Sequence, residues 1–161
     1  MARISFPEAG LGEHADWMLA RPEMAAGMAA FSTAVYGTST LAKREREVAR
    51  YTIALINDCK VCRAARARDA EAAHIDETFY TEIPAWRTSP ALSDRERLAA
   101  EFAQLFATDH LAMDDGFWGR LRAFYRDDEI ADLTMSCGAW LGMGRAMAVI
   151  GVRAPDEQLL V

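Results

Sequence analysis

Apolar residues along this chain recur at intervals of three and four, the spacing that lines one face of a helix. No stretch alternates apolar with polar residues as a half-buried strand does. Helix formers carry the pattern, with Ala, Leu, Met, Glu and Arg abundant and Val, Ile and Thr sparse. Breaks fall at Gly10–Gly12, Pro22, Gly37–Thr40, Asn57–Asp58, Pro84–Pro90 and Asp114–Gly116. Between them the periodicity predicts a short helix over Glu13 to Ala20. A second, over Glu23 to Tyr36, begins at Pro22 and presents Met24, Met28, Phe31 and Val35 on one face. Leu41 to Ile56 follows, capped by Ser39 or Thr40, and then Cys59 to Ala73, capped by Asp58. Ser93 to Thr108 opens with the spacing of a capping box, and Asp115 to Tyr125 carries Phe117, Leu121 and Phe124. The last helix, Glu129 to Val149, is nearly apolar and is expected to be buried in the core or in a subunit interface. Ile75 to Leu92, with Pro84 and Pro90, reads as a loose connection. The expectation is an all-α bundle of about six to seven helices, forming a single domain over residues 1–161.

Leu41-Ala-Lys-Arg-Glu-Arg-Glu-Val-Ala49 echoes Leu92-Ser-Asp-Arg-Glu-Arg-Leu-Ala-Ala100, with five identities in nine positions, and hints at a duplicated helical unit. With 52% hydrophobic residues the chain has ample material for a core, and 26% charged residues is ordinary for a globular protein. A net charge of −6 without a long basic stretch makes nucleic acid and anionic membrane poor partners. No run of about 18 apolar residues is present, so no membrane-spanning helix is expected. The N-terminus lacks an apolar stretch long enough for a secretory signal. Three cysteines without such a signal argue against a structural disulfide framework and point to the cytoplasm.

The strongest chemical signal is Asn57-Asp-Cys-Lys-Val-Cys-Arg-Ala-Ala-Arg66. A Cys-x-x-Cys pair on the first turn of a helix can close a tight disulfide. The helix N-terminus, with Lys60, Arg63 and Arg66, favours the reactive thiolate. If the helices on either side of Asn57 form an antiparallel hairpin, Glu47 falls opposite Arg66 and both meet Cys62. A carboxylate inside such a hairpin needs a partner, and Arg66 is the expected one.

These residues resemble the AhpD-like, or carboxymuconolactone decarboxylase-like, family. Its members show a Glu, then twelve positions on a Cys-x-x-Cys, then a His four beyond. Glu47, Cys59 and Cys62 keep that spacing, while Arg66 stands at the His position and Val61 precedes the second Cys. The segments Pro90-Ala-Leu-Ser-Asp-Arg-Glu-Arg97, Asp128-Glu-Ile-Ala-Asp-Leu133 and Gly144-Arg-Ala-Met-Ala-Val-Ile-Gly151 are similar to the second half of family members, so the resemblance covers roughly Pro22 to Val152.

The resemblance implies that Cys62 attacks a hydroperoxide, Cys59 resolves it as a disulfide and Glu47 relays the proton. The residues alone leave the order open, because in thioredoxin-type motifs the first cysteine is usually the exposed one. Arg66 orients a thiolate or a peroxide but accepts no proton. His110 is then the candidate proton acceptor, while His14 and His74 read as surface residues. Cys137, on the apolar last helix, reads as packing. No cofactor or metal is expected, since zinc wants four ligands and the remaining His and Cys are scattered singles.

The resulting expectation is a thiol enzyme acting on a hydroperoxide or disulfide. It would be recycled by a lipoyl-bearing or thioredoxin-type reductant and assembled as a homo-oligomer, a trimer or hexamer. The alternatives are a non-redox decarboxylase or lactone enzyme of the same superfamily, for which Arg66 would suit a carboxylate substrate, and a thiol sensor without turnover.

Overall fold

The computed structural model describes residues 2–154 and 161, and among them the chain forms eight α-helices and three short 3-10 turns. The helices are α1 (Glu13–Leu19), α2 (Pro22–Gly37), α3 (Lys43–Ile56), α4 (Lys60–Ala64), α5 (Glu77–Glu82), α6 (Asp94–Thr108), α7 (Asp115–Phe124) and α8 (Asp127–Ile150). The all-helical architecture is the one the sequence pattern predicts.

α3 is the centre of the bundle and packs on α6 and α8. Ile53 of α3, Phe102 of α6, Leu121 of α7 and Leu133 and Cys137 of α8 meet in the main core, all essentially without solvent exposure. Burying each of the larger of these side chains contributes about 1.5–3 kcal/mol relative to leaving it in water. Ser93 caps α6 as predicted: its Oγ accepts the Glu96 N–H at 3.2 Å, and Glu96 Oε2 accepts the Ser93 N–H at 2.7 Å.

The echoed segments lie side by side. Arg44 Nε donates to Glu96 at 2.5 Å and Arg95 Nε donates to Glu45 at 2.6 Å. The echo pairs Arg44 with Arg95 and Glu45 with Glu96. Each unit therefore hands its arginine to the other unit's glutamate, as two copies related by a local twofold would.

Several expectations are corrected. Ser39 and Thr40 do not cap α3. Their hydroxyls and the Thr40 N–H all donate to Asp132 of α8, tying the α2–α3 turn to that helix. Ile75 to Leu92 is not loose, because it holds α5 and a 3-10 turn. Its Ile75, Phe79, Tyr80, Ile83 and Trp86 build a second buried cluster with Val48 of α3 and Ala100 of α6. On α2 only Val35 is buried, and Met24 and Phe31 stand exposed. By length and composition α8 is long and apolar enough to cross a membrane, but Leu133, Cys137 and Trp140 on it pack into the main core.

Candidate functional site

α3 ends at Ile56, and Asn57 and Asp58 turn the chain into α4. Asp58 adopts a left-handed conformation (φ 47°) and is not the helix cap. Cys59 caps α4 itself, its Sγ accepting the Cys62 N–H at 3.2 Å. Cys59 and Cys62 are joined as a disulfide.

α4 stops after five residues instead of running to Ala73, and the reason is Arg50. Its Nη1 donates to the Cys62 carbonyl at 2.7 Å and its Nη2 to the Ala65 carbonyl at 3.1 Å. A buried guanidinium thus occupies the Cys62 carbonyl that would accept the Arg66 N–H in a continuing helix, and Ala65 turns extended (ψ 142°).

The early stop corrects the predicted pairing of Glu47 with Arg66. Beyond Ala64 the chain no longer follows the helix face, and Arg66 turns to Glu77, donating from Nε at 2.7 Å and from Nη2 at 2.9 Å. Its guanidinium also lies 4.4 Å from the Tyr80 ring centroid. Glu77 holds the Arg66 pKa above its ordinary value, so this side chain stays a cation.

Glu47 is fully buried and pairs with Arg50 instead. Arg50 Nε lies 3.0 Å from both carboxylate oxygens and Nη2 lies 2.8 Å from Oε2. Tyr80 Oη completes the cage, donating to Glu47 Oε2 at 2.9 Å and accepting the Ala67 N–H at 3.1 Å. Burial, aided by the Glu47 charge, pushes the Tyr80 phenol up to about 12, which keeps it protonated as the donor. Burial works against the Arg50 cation, but Glu47 outweighs it and holds the guanidinium charged.

Beside this cluster lies a cavity of about 340 Å³. Its wall is largely apolar, with Trp17, Met28, Ala54, Trp140, Met143 and Met147 prominent. Cys62 opens onto it, and Cys59, with no exposure at all, lies behind in a cluster with Val61, Met147 and Val152. Gly144 of α8 lets the helix pass close: a Cβ there would stand 3.2 Å from Cys62 Sγ and 2.9 Å from Asn57 Nδ2. Asn57 in turn bonds the Leu141 carbonyl at 3.2 Å and accepts from Arg145 Nε at 2.9 Å.

Arg50, Tyr36 and His14 supply polar groups to the cavity wall, and Glu47, Arg66 and His110 do not border it. His110 is exposed in the 3-10 turn after α6, so it is not placed to serve Cys62. Trp140 Nε1 is buried and makes no hydrogen bond of normal geometry with the described residues, Tyr36 being the polar side chain beside it. Among the described residues no three His, Cys, Asp or Glu side chains gather in a way that would hold a metal ion.

The sequence reading missed Arg50, Tyr80, Tyr36 and His14. Glu47 and Arg50 stand at i and i+3 on one helix, a spacing at which they can pair, whereas the expected hairpin register paired Glu47 with Arg66. His14 and Tyr36 carry no local signal, since α1 and α2 reach the site only through tertiary packing.

The family model for the carboxymuconolactone decarboxylase family matches residues 22–105, just over half of the chain. The uncharacterised protein Rv2313c of Mycobacterium tuberculosis is 33% identical over 90 residues, which is 55% of this chain and 31% of that protein. The chain therefore matches about a third of the length of this curated relative. Among solved structures it is similar to a protein of unknown function, ATU0492, from Agrobacterium tumefaciens, described as a candidate AhpD antioxidant defence protein. The TM-score is 0.78 at 21% identity, covering 98% of this chain and all of that one. It is also similar to a peroxidase-related protein from Ralstonia eutropha JMP134 described as an alkylhydroperoxidase AhpD core, with a TM-score of 0.81 at 18% identity, covering 96% and 93% of the two chains. At these identities the structural likeness speaks to the fold.

Proposed function

The chain belongs to the carboxymuconolactone decarboxylase family, and on that premise we propose that it is a thiol-dependent redox enzyme that reduces an organic hydroperoxide through Cys62 and Cys59. The observation that carries this reading is the asymmetry of the pair: Cys62 borders an apolar cavity and Cys59 is sealed behind it. An attacking thiol needs access to substrate, whereas a resolving thiol needs access only to its partner.

In this reading the Cys62 thiolate attacks the terminal oxygen of the hydroperoxide. The O–O bond breaks, the alcohol departs and Cys62 becomes a sulfenic acid. The Cys59 thiol then displaces the hydroxyl, forming the disulfide and water. A dithiol reductant, lipoyl-bearing or of thioredoxin type, attacks Cys62, and Cys59 leaves as a thiolate stabilised by the Cys62 N–H at its sulfur. The largely apolar wall suits an alkyl substituent.

Glu47 acts through Arg50 as a positioning residue, holding the guanidinium that anchors the Cys62 carbonyl. Arg66, committed to Glu77, takes no direct part. The decarboxylase alternative wants a cation free to hold a carboxylate, and the guanidinium in the cavity wall is already engaged with Glu47. A second copy of the chain is proposed to cover the exposed apolar residues Met24 and Phe31 of α2 and Met135 and Val149 of α8, and a reducing compartment such as the cytoplasm would suit the cycle.

The test is intact mass of the reduced protein before and after one equivalent of cumene hydroperoxide, with C59S and C62S alongside. A loss of about 2 Da with disappearance of two titratable thiols supports the reading, as does a sulfenic acid trapped in C59S but not in C62S. A wild-type protein left unchanged by hydroperoxide overturns peroxide reduction. If a dithiol or disulfide probe then exchanges with the pair, the protein is a disulfide exchanger instead.

A further inference from the structure

Peroxide reduction needs a group that takes the proton of the attacking thiol and returns it to the departing alkoxide. Arg66 faces Glu77, His110 lies outside the cavity, and Glu47 is caged behind Arg50 and Tyr80. None of the three reaches Cys62.

We propose that His14, on α1, is the proton carrier of this site, facing Cys62 across the apolar cavity. The inference rests on the redox reading above. His14 and Cys62 border the same cavity, and Trp17, one turn further along α1, packs in the cluster that holds Cys59, Val61 and Cys62. The rings of His14 and Trp17 lie 6.5 Å apart.

α1 is held over the cavity from the far side as well. Glu13 accepts the Arg153 backbone N–H at 2.9 Å and Arg153 Nε at 2.6 Å, which ties α1 to the segment that follows α8. The Arg3 N–H donates to the Ile150 carbonyl at 2.8 Å, pinning the chain ahead of α1 to the end of the same helix. A short helix with no buried residue of its own is thus fixed as one wall of the site.

The charged side chains near the imidazole are engaged elsewhere, and Val161, whose N–H donates to the Arg66 carbonyl, also borders the cavity. On α1, Glu13 pairs with Arg153 and Asp16 accepts the Ala9 N–H. Tyr36 of α2 is a buried phenol whose pKa burial raises, so it stays neutral. Arg50 of α3 is neutralised by Glu47, and α8 contributes no charged residue to the cavity wall. No carboxylate bonds to His14 among the described residues, and burial lowers its pKa. The imidazole is therefore neutral near pH 7, the form that accepts a proton.

The step balances. His14 takes the Cys62 thiol proton, and the thiolate bonds to the terminal oxygen of the hydroperoxide as the O–O bond breaks. The alkoxide then takes the proton from the imidazolium, leaving an alcohol, a Cys62 sulfenic acid and neutral His14. The two electrons come from the Cys62 sulfur.

The experiment is stopped-flow oxidation of the fully reduced protein by cumene hydroperoxide from pH 5 to 8, followed by tryptophan fluorescence, since Trp17 and Trp140 both line the cavity. Wild type, H14Q, H14A and H110Q run in parallel. Wild type is expected to show an inflection at or below the ordinary histidine value of about 6.5. H14Q is expected to lose that inflection and to react on the order of 100-fold more slowly at pH 7. H110Q is expected to match wild type, and added imidazole is expected to restore rate and inflection to H14A, whose cavity gains room for it. Circular dichroism and Tm establish that each variant is folded, and the imidazole rescue decides the matter if H14Q proves unstable. H14Q with the wild-type rate and pH profile overturns the role of His14 alone. A wild-type protein that hydroperoxide does not oxidise removes the redox reading on which it rests.

Discussion

Glu47 and Arg50 form an ion pair that solvent does not reach, three residues apart on α3, with the guanidinium spanning both carboxylate oxygens. The same guanidinium ends α4 by taking the carbonyls of Cys62 and Ala65. One pair therefore fixes both the interior of the bundle and the backbone of the reactive cysteine.

Removing either partner leaves a charge in the core without its counter-ion. Glu47→Ala is expected to lower unfolding stability by about 3–5 kcal/mol. Glu47→Gln, which keeps the Tyr80 contact, is expected to cost less. Urea denaturation measures both. Equal stability of E47A and wild type would mean that the pair contributes nothing to the fold.

The thiols should differ sharply in reactivity. In the reduced protein iodoacetamide is expected to modify Cys62 first, because it alone of the three cysteines opens onto the cavity. Cys137 should stay unmodified in the folded state, being fully buried with its thiol pKa pushed up by that burial. Peptide mass mapping over time reads the order, and first modification at Cys59 would contradict it.

Gly144 is needed for the approach of α8 to the disulfide. In Gly144→Ala the new methyl meets Asn57 Nδ2 at 2.9 Å and Cys62 Sγ at 3.2 Å, so the α3–α4 turn must shift. A net loss of about 1–2 kcal/mol is expected from overpacking, after the better helix propensity of alanine is set against it. Slower alkylation of Cys62 should accompany it, whereas Gly142→Ala, where a Cβ meets open space, should gain up to about 1 kcal/mol from helix propensity and leave Cys62 alkylation unchanged.

Stability should fall in acid partly through Glu129. Burial works to raise its carboxyl, but the Arg126 backbone N–H and the Arg95 guanidinium outweigh that and hold it below the usual carboxylate range. Since the folded-state value is the lower one, the unfolded chain binds the extra proton as the pH drops. The contribution is complete above the ordinary carboxylate value of about 4.3 and is lost as the pH falls through the folded-state value. Glu129→Gln is expected to be less stable at pH 7 and to lose less stability between about pH 5 and pH 3. Denaturant midpoints across that range test it, and parallel curves would remove Glu129 as the cause.

Local spacing determined a good deal of this protein. The apolar periodicity specified the longer helices α2, α3, α6, α7 and α8, the Ser93–Glu96 spacing specified a cap, and the Cys59–Cys62 separation specified a pair able to close a disulfide. The echo between Leu41–Ala49 and Leu92–Ala100 hinted at two related helical units, and the fold sets them side by side with exchanged arginine–glutamate bonds. All of these rest on residues within a turn or two of one another, or on a repeat.

Tertiary structure alone decided which charges are interior and which groups meet Cys62. In the run Lys43-Arg-Glu-Arg-Glu47, Glu45, Arg46 and Glu47 are all buried: Arg95 of α6 pairs with Glu45, the Tyr36 carbonyl accepts from Arg46, and Arg50 one turn on pairs with Glu47. Arg66 was expected beside Glu47 because a continuing helix would carry it there. Arg50 ends that helix, and Arg66 turns to Glu77. His14 stands 48 positions from Cys62 in the sequence and borders the same cavity only because Trp17 and Glu13 hold α1 in place. Spacing fixes what a helix presents along its own faces; which face another element covers depends on where burial and counter-charges across the whole chain are satisfied together.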